Sequence, residues 1–274
     1  MTLLDRLQSI DRRYIFVAIG LAVIIPFLTG LRLPTGAISP PTQNLYDTIE
    51  KLPAGSAIII AFNYGPASMP ELHPMAVALI RHAFAKNVRV IGLTLNVQGV
   101  PLARDVFTQV GGEAGKKEGE DWVNLGFKPG GAVIITQMGA DIQHVYSTDA
   151  EGKTTAGMPV MKGIHNYDQI AIIIDLASSS TPTSWIQFAH EQFRAKVAAG
   201  VTAVMATDYY PFLQTGQLTG FMNGLKGASD YEVLLKRQDK ASLGMASQSI
   251  AHALIIAFVI LGNVGYLATR RRQH

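Results

Sequence analysis

Cysteine is absent from the 274 residues, which excludes disulfides, thiol nucleophiles and cysteine-ligated metals. Phosphate-binding glycine loops are missing too. No Gly-x-Gly-x-x-Gly follows the first strand-like run and no Walker loop occurs, which argues against nucleotides. There is no Gly-x-Ser-x-Gly elbow of the kind that presents a hydrolase serine. No second His or Asp cluster supports Glu71-x-His73 as a metal site, so neither a metal nor any other cofactor is expected.

Excess charge is scarce once its location is considered. The formal net charge is +3, but the termini hold six Arg and two Asp, leaving 17 basic and 18 acidic residues between 32 and 240. That stretch has no basic face for nucleic acid.

What the chain has is apolar sequence, 48% hydrophobic residues with a mean hydropathy of +0.21. Part of it lies at the ends. Tyr14 to Leu31, "YIFVAIGLAVIIPFLTGL", is 18 residues without a charge, and Ala251 to Thr269 is a second such stretch. Each approaches the roughly 20 residues that span a bilayer. The first run exceeds the 7–15 residues of a signal-peptide core despite a small-residue "TGA" at Thr35 to Ala37, so it reads as an uncleaved anchor. Pro26 should kink it, a defect that neighbouring helices can satisfy.

Arg6, Arg12 and Arg13 precede the first span and Arg270 to Arg272 follow the second. The positive-inside rule then places both termini in the cytoplasm and the central domain outside, with Lys236, Arg237 and Lys240 as counterweights. The organisation expected is a tail (1–13), transmembrane helix 1 (14–31), a Pro/Gly-rich linker (32–43), an α/β domain (44–240), transmembrane helix 2 with its approach (245–269) and a basic tail (270–274).

Within the domain, apolar runs alternate with helical patterns. "SAIIIAF" (56–62), "VRVIGLTL" (88–95), "AVIITQMG" (132–139), "IAIIIDLA" (170–177) and "VTAVMAT" (201–207) read as strands. Unbroken apolar strands separated by helices imply a doubly wound, mainly parallel sheet, here of five strands. Residues 112–131 read as a charged surface excursion. Residues 140–169 read as a long loop suited to a lid, or to a short hairpin.

Ligands of such sheets bind beyond the carboxyl ends of the strands. The candidates on that edge are Asn63, Tyr64, Ser68, Glu71, His73, Asn96, Asp141, Asp175, Ser178 and Asp208. Asp175, closing "IAIIID", is the foremost. A Ser–His–Asp trio can be drawn from Ser68 or Ser178, from His73, His144 or His165, and from Asp175 or Asp208, but any domain of this size supplies the types.

A different pattern recurs near the second span. Gly216, Gly220 and Gly224 repeat every fourth residue, as do Ser249, Ala253 and Ala257. Small residues so spaced on helices permit close helix packing. Two functions follow as expectations: a membrane-anchored, non-enzymatic scaffold module that assembles with itself or another membrane protein, or an exported small-ligand sensor or hydrolase using the strand-end edge.

Overall fold

The computed structural model describes residues 11–34 and 36–270. Arg6, Thr35, Arg271 and Arg272, on which the cleavage and orientation arguments drew, lie outside the described residues. The chain divides into two compact units, residues 36–241 and the terminal segments 1–35 with 242–274.

The central unit is α/β. Its helices are α2 (Pro40–Glu50), α3 (Met69–Ala85), α4 (Gly99–Ala114), α5 (Ala132–Ala140), α6 (Ile142–Val145), α7 (Thr181–Trp185), α8 (Glu191–Phe193), α9 (Ala206–Gln214) and α10 (Gly224–Leu234). A π-helical turn, Ile186–His190, joins α7 to α8. The strands are β1 (Ala57–Asn63), β2 (Arg89–Thr94), β3 (Trp122–Phe127), β4 (Ile172–Ala177), β5 (Val197–Val201) and β6 (Phe221–Asn223). They form one sheet in the order β3-β2-β1-β4-β5-β6, every neighbouring pair parallel.

Both faces of this sheet are covered, which is why its strands are apolar throughout. In β1, Ile58, Ile60 and Phe62 join a core with Leu45, Ile49, Met75, Leu79, Phe107 and Tyr231 from α2, α3, α4 and α10. Ala57, Ile59 and Ala61 turn to the opposite core, with Ile135, Met138, Trp185 and Tyr209. Each such isoleucine contributes about 1.5–3 kcal/mol by leaving water. Phe107 stacks on Trp122 at 4.7 Å and 4°. Its ring lies where a side chain on Gly92 would be, 2.3 Å from the Cβ that glycine lacks.

Three of the expected strands form where the apolar runs stand, and the rest differ. "AVIITQMG" is α5, because Ile134, Ile135 and Met138 are buried at helical spacing while Val133 is exposed. The third strand is instead Trp122–Phe127, inside the supposed excursion. β5 occupies Val197–Val201, leaving Ala206 onward to open α9. The sheet has six strands rather than five, since Phe221–Asn223 pairs with β5. α2 starts at Pro40, inside the supposed linker, with two prolines in its first turn where no N–H is required.

The glycine strip does not form on a helix. Gly216 sits in a turn at φ +77°, Gly220 precedes β6 against the Pro41 carbonyl, and Gly224 opens α10 at φ +52°. Residues 140–169 are no free lid either. Val145, Tyr146, Val160, Met161, Ile164 and Tyr167 are buried in the second core, and one antiparallel bridge, Thr148 with Thr154, is all that resembles a hairpin.

In the terminal unit, α1 (Arg12–Thr29) and α11, whose full extent is Lys240–Arg270, are each long and apolar enough to cross a membrane. Ile15, Ala18, Ile19, Ala22 and Pro26 make the less exposed stripe of α1. The Ser247 hydroxyl donates to the Val23 carbonyl at 3.0 Å. That carbonyl is next to the one Pro26 leaves without its donor. Ser249, Ala253 and Ala257 lie on an exposed face of α11.

Candidate functional site

Strand order reverses between β1 and β4, because β1 connects onward to β2 on one side while the chain returns to β4 on the other. The crevice beyond the carboxyl ends of those two strands is where a doubly wound sheet takes its ligand. Asn63 and Asp175 stand there, on the same face as Ala61 and Ile173. Asn63 Nδ2 donates to Asp175 Oδ1 at 2.7 Å, and Asn63 Oδ1 accepts the Leu95 N–H at 2.6 Å. One amide thus ties the ends of three adjacent strands.

Asp175 is fully buried. Burial, which disfavours its charged form, pushes its carboxyl up to about 7, against lesser opposing effects of Thr181 and Asn63. Its second oxygen, Oδ2, has no well-formed hydrogen bond among the described residues. An unpaired buried carboxyl oxygen costs about 1–3 kcal/mol. Tyr209, from α9, is held above its ordinary value by burial first, then by the nearby Asp175 and Asp208 carboxylates, with the Thr183 hydroxyl opposing.

The turn after β1, "NYGPASMPELHP", is built by the other candidates. Gly65 and the short 3-10 turn Pro66–Ser68 lead into α3. Tyr64 is buried on the opposite face, where its hydroxyl meets His73 Nδ1 at 3.2 Å. Burial first, then Lys240, holds the His73 imidazole below its ordinary value, with Asp105 opposing. His73 therefore pairs with Tyr64, not with Ser68, and no serine–histidine couple is formed there. Glu71 Oε2 accepts the Ala203 N–H at 2.8 Å. The carboxylate clamps the β1 turn to the loop after β5, which explains a glutamate there without any metal.

The loop after β2 closes against this edge. Thr94 donates to the Phe62 carbonyl at 2.8 Å and accepts the Asn96 N–H at 3.0 Å. Asn96 in turn accepts the Gln98 N–H at 3.1 Å. Gly99 permits the approach, since its Cβ would fall 1.9 Å from the Phe62 carbonyl oxygen.

Ser178 is half-buried just past β4, and Asp208 is exposed in the first turn of α9. Asp141 is not at the edge. It follows α5 and caps α6, accepting the His144 N–H at 3.0 Å. Its expected place depended on a strand that is a helix. Among the described residues no group of three or more His, Asp or Glu is arranged to hold a metal ion. Thr181 is the edge residue beside Asp175 that strand-end counting passed over: it opens α7, four residues beyond the end of β4, whereas Tyr209 follows the expected fifth strand directly and stands in the first turn of α9.

The strand order is that of dinucleotide-binding sheets, but the β1 turn has a single glycine followed by proline, so the backbone amides that cradle a pyrophosphate are not offered. No protein-family model, curated protein or solved structure matches the chain.

Proposed function

We propose that the chain is a membrane-anchored binding module, without catalytic chemistry of its own, that takes a small polar ligand at the carboxyl edge between β1 and β4. One observation carries this. Asp175 is fully buried at the topological switch point, one oxygen fixed by Asn63 and the other without a well-formed hydrogen bond among the described residues, with only the Thr181 hydroxyl acting on it. A carboxyl group held close to half-protonated at neutral pH can donate or accept toward a ligand there. The His73–Tyr64 pairing supports binding over hydrolysis, because it engages the histidine nearest the edge with a phenol rather than a nucleophile.

The apolar, largely exposed α1 and α11 support the anchoring. Arg12 and Arg13, which open α1, favour cytoplasmic termini and an extracytoplasmic central unit. The absence of cysteine gives a clean test: Glu120→Cys would carry the sole thiol, on an exposed turn. A membrane-impermeant maleimide added to intact cells should label it. Labelling only after lysis would reverse the topology.

Ligand binding is tested with full-length protein in mild detergent, screened by thermal shift against fractionated small-molecule extracts. At least one fraction should stabilise the wild type, and Asp175→Asn, which keeps the acceptor for Asn63, should lose the shift. Equal shifts in both proteins would remove Asp175 from the site.

Assembly is a second reading, favoured by the exposed Ser249, Ala253 and Ala257 stripe on α11. In this case the partner is another copy or another membrane protein within the bilayer. A discrete oligomer that Ala253→Leu dissociates would support it, and an unchanged mass would oppose it.

A further inference from the structure

A second place on the same edge is built for a ligand, two strands away from the crevice. At the carboxyl end of β3 a cleft of about 220 Å³ is lined by Gly126, Lys128, Tyr146, Thr148 and Asp149, with Val100 at its rim. A water's share of liquid volume is about 30 Å³, so the cleft has room for a molecule of several heavy atoms.

Its polar groups are incompletely satisfied. Asp149 is 5% exposed, and its Oδ1 accepts the Glu151 and Lys153 N–H groups at 2.9 and 2.8 Å. Those bonds close the loop between Asp149 and Lys153. Among the described residues Oδ2 has no hydrogen-bond partner, and neither does the Tyr146 hydroxyl, on a residue 2% exposed. Lys128 stands over the Tyr146 ring at 5.2 Å and donates to the Val145 carbonyl. Among the described residues neither Lys128 nor Asp149 forms a salt bridge, with each other or elsewhere, although many of the chain's other charged side chains do.

The cleft's lining holds one cation and one carboxylate that form no salt bridge among the described residues, and a phenol whose hydroxyl has no hydrogen bond there, so it has no net charge yet offers both signs. We infer that it binds a small zwitterion of the amino-acid class, its ammonium toward Asp149, its carboxylate toward Lys128, and the Tyr146 hydroxyl serving either. A neutral polyol would satisfy the phenol but leave both charges without counterparts. A simple anion or amine would satisfy one of them. Charge-assisted hydrogen bonds to both ends select the zwitterion.

The test is equilibrium dialysis of the full-length protein in mild detergent against a radiolabelled mixture of the common amino acids. Glucose, acetate and methylamine serve as polyol and single-charge probes. Asp149→Asn keeps an oxygen for the two amides, and Lys128→Met keeps an apolar stem on the Tyr146 ring, so both variants should fold, as an unchanged thermal midpoint will verify. Saturable binding of at least one amino acid, weakened tenfold or more in each variant and not matched by the probes, is the expected result. No saturable amino-acid binding, equal binding of glucose, or undiminished binding by the folded variants would overturn the inference.

Discussion

Asp175 closes an apolar strand, and in the sequence that position alone marks it. A carboxylate after "IAIII" is costly inside a parallel sheet unless it has a purpose or a partner. The structure supplies half a partnership, through Asn63, and a titration consequence follows. Because burial raises the folded-state value from 3.8 to about 7, the folded chain holds a proton that the unfolded chain has lost between about pH 4 and 7. Stability from this group therefore falls as pH rises through that window, by up to about 4 kcal/mol, and levels off above it. Asp175→Asn should abolish this component, so chemical denaturation across pH 4 to 8 should show a flatter profile in the variant. An unchanged slope would mean that Asp175 is ionised in the fold. Glu113 behaves in the opposite sense. Its hydrogen bond from Arg81 lowers it to about 2, so its contribution is present above its unfolded value near 4.5 and is lost as pH falls through about 2. Arg81→Met should remove most of that acid-side loss, Gln109 and Arg237 keeping a part of it, and abolish the Arg81–Asp239 ion pair at 2.6 Å as well. Lys128, Tyr146 and Asp149 were not legible in the same way. Their convergence depends on β3 lying where the composition suggested a surface excursion, and only the Asp149-x-x-Gly152 turn leaves a local trace.

The errors of strand placement share a physical origin at the level of elements. "AVIITQMG" and "WVNLGF" are both short apolar runs, and periodicity over so few residues does not separate a helix from a buried strand. What decides is context. Gly130 and Gly131, both at positive φ, turn the chain sharply before α5, while Trp122 has Phe107 to stack upon. β1, β2 and β4 were legible because each apolar run leads into a stretch with clear helical spacing, which "AVIITQMG" and "WVNLGF" do not. The glycines spaced by four were misleading for another reason: spacing implies a helical strip only where a helix exists, and here each glycine serves a separate turn or close approach. Gly99 is the most demanding of the close approaches. Gly99→Ala should push its methyl into the Phe62 carbonyl and Thr94 Oγ1, costing about 1–3 kcal/mol. The thermal midpoint should then fall by roughly 2–12 °C. A midpoint equal to the wild type would show that the loop after β2 yields freely, and that it does not brace the ligand edge.

For the whole molecule, composition anticipated most of the organisation: a parallel sheet covered on both faces and two apolar helices near the ends. Six strands in the order 3-2-1-4-5-6 place the switch point between β1 and β4, so the residues that meet there come from sequence positions 112 apart. No local pattern could have paired Asn63 with Asp175, although each was a candidate alone. The account as a whole rests on that meeting being a ligand site in a membrane-held protein. The most direct measurement is native mass spectrometry of the full-length protein, released from membranes in mild detergent, beside Asp175→Asn prepared identically. The account predicts that the wild type retains a discrete small-molecule mass that the variant, equally folded, has lost. The same added mass on both proteins, or none on either, would contradict it.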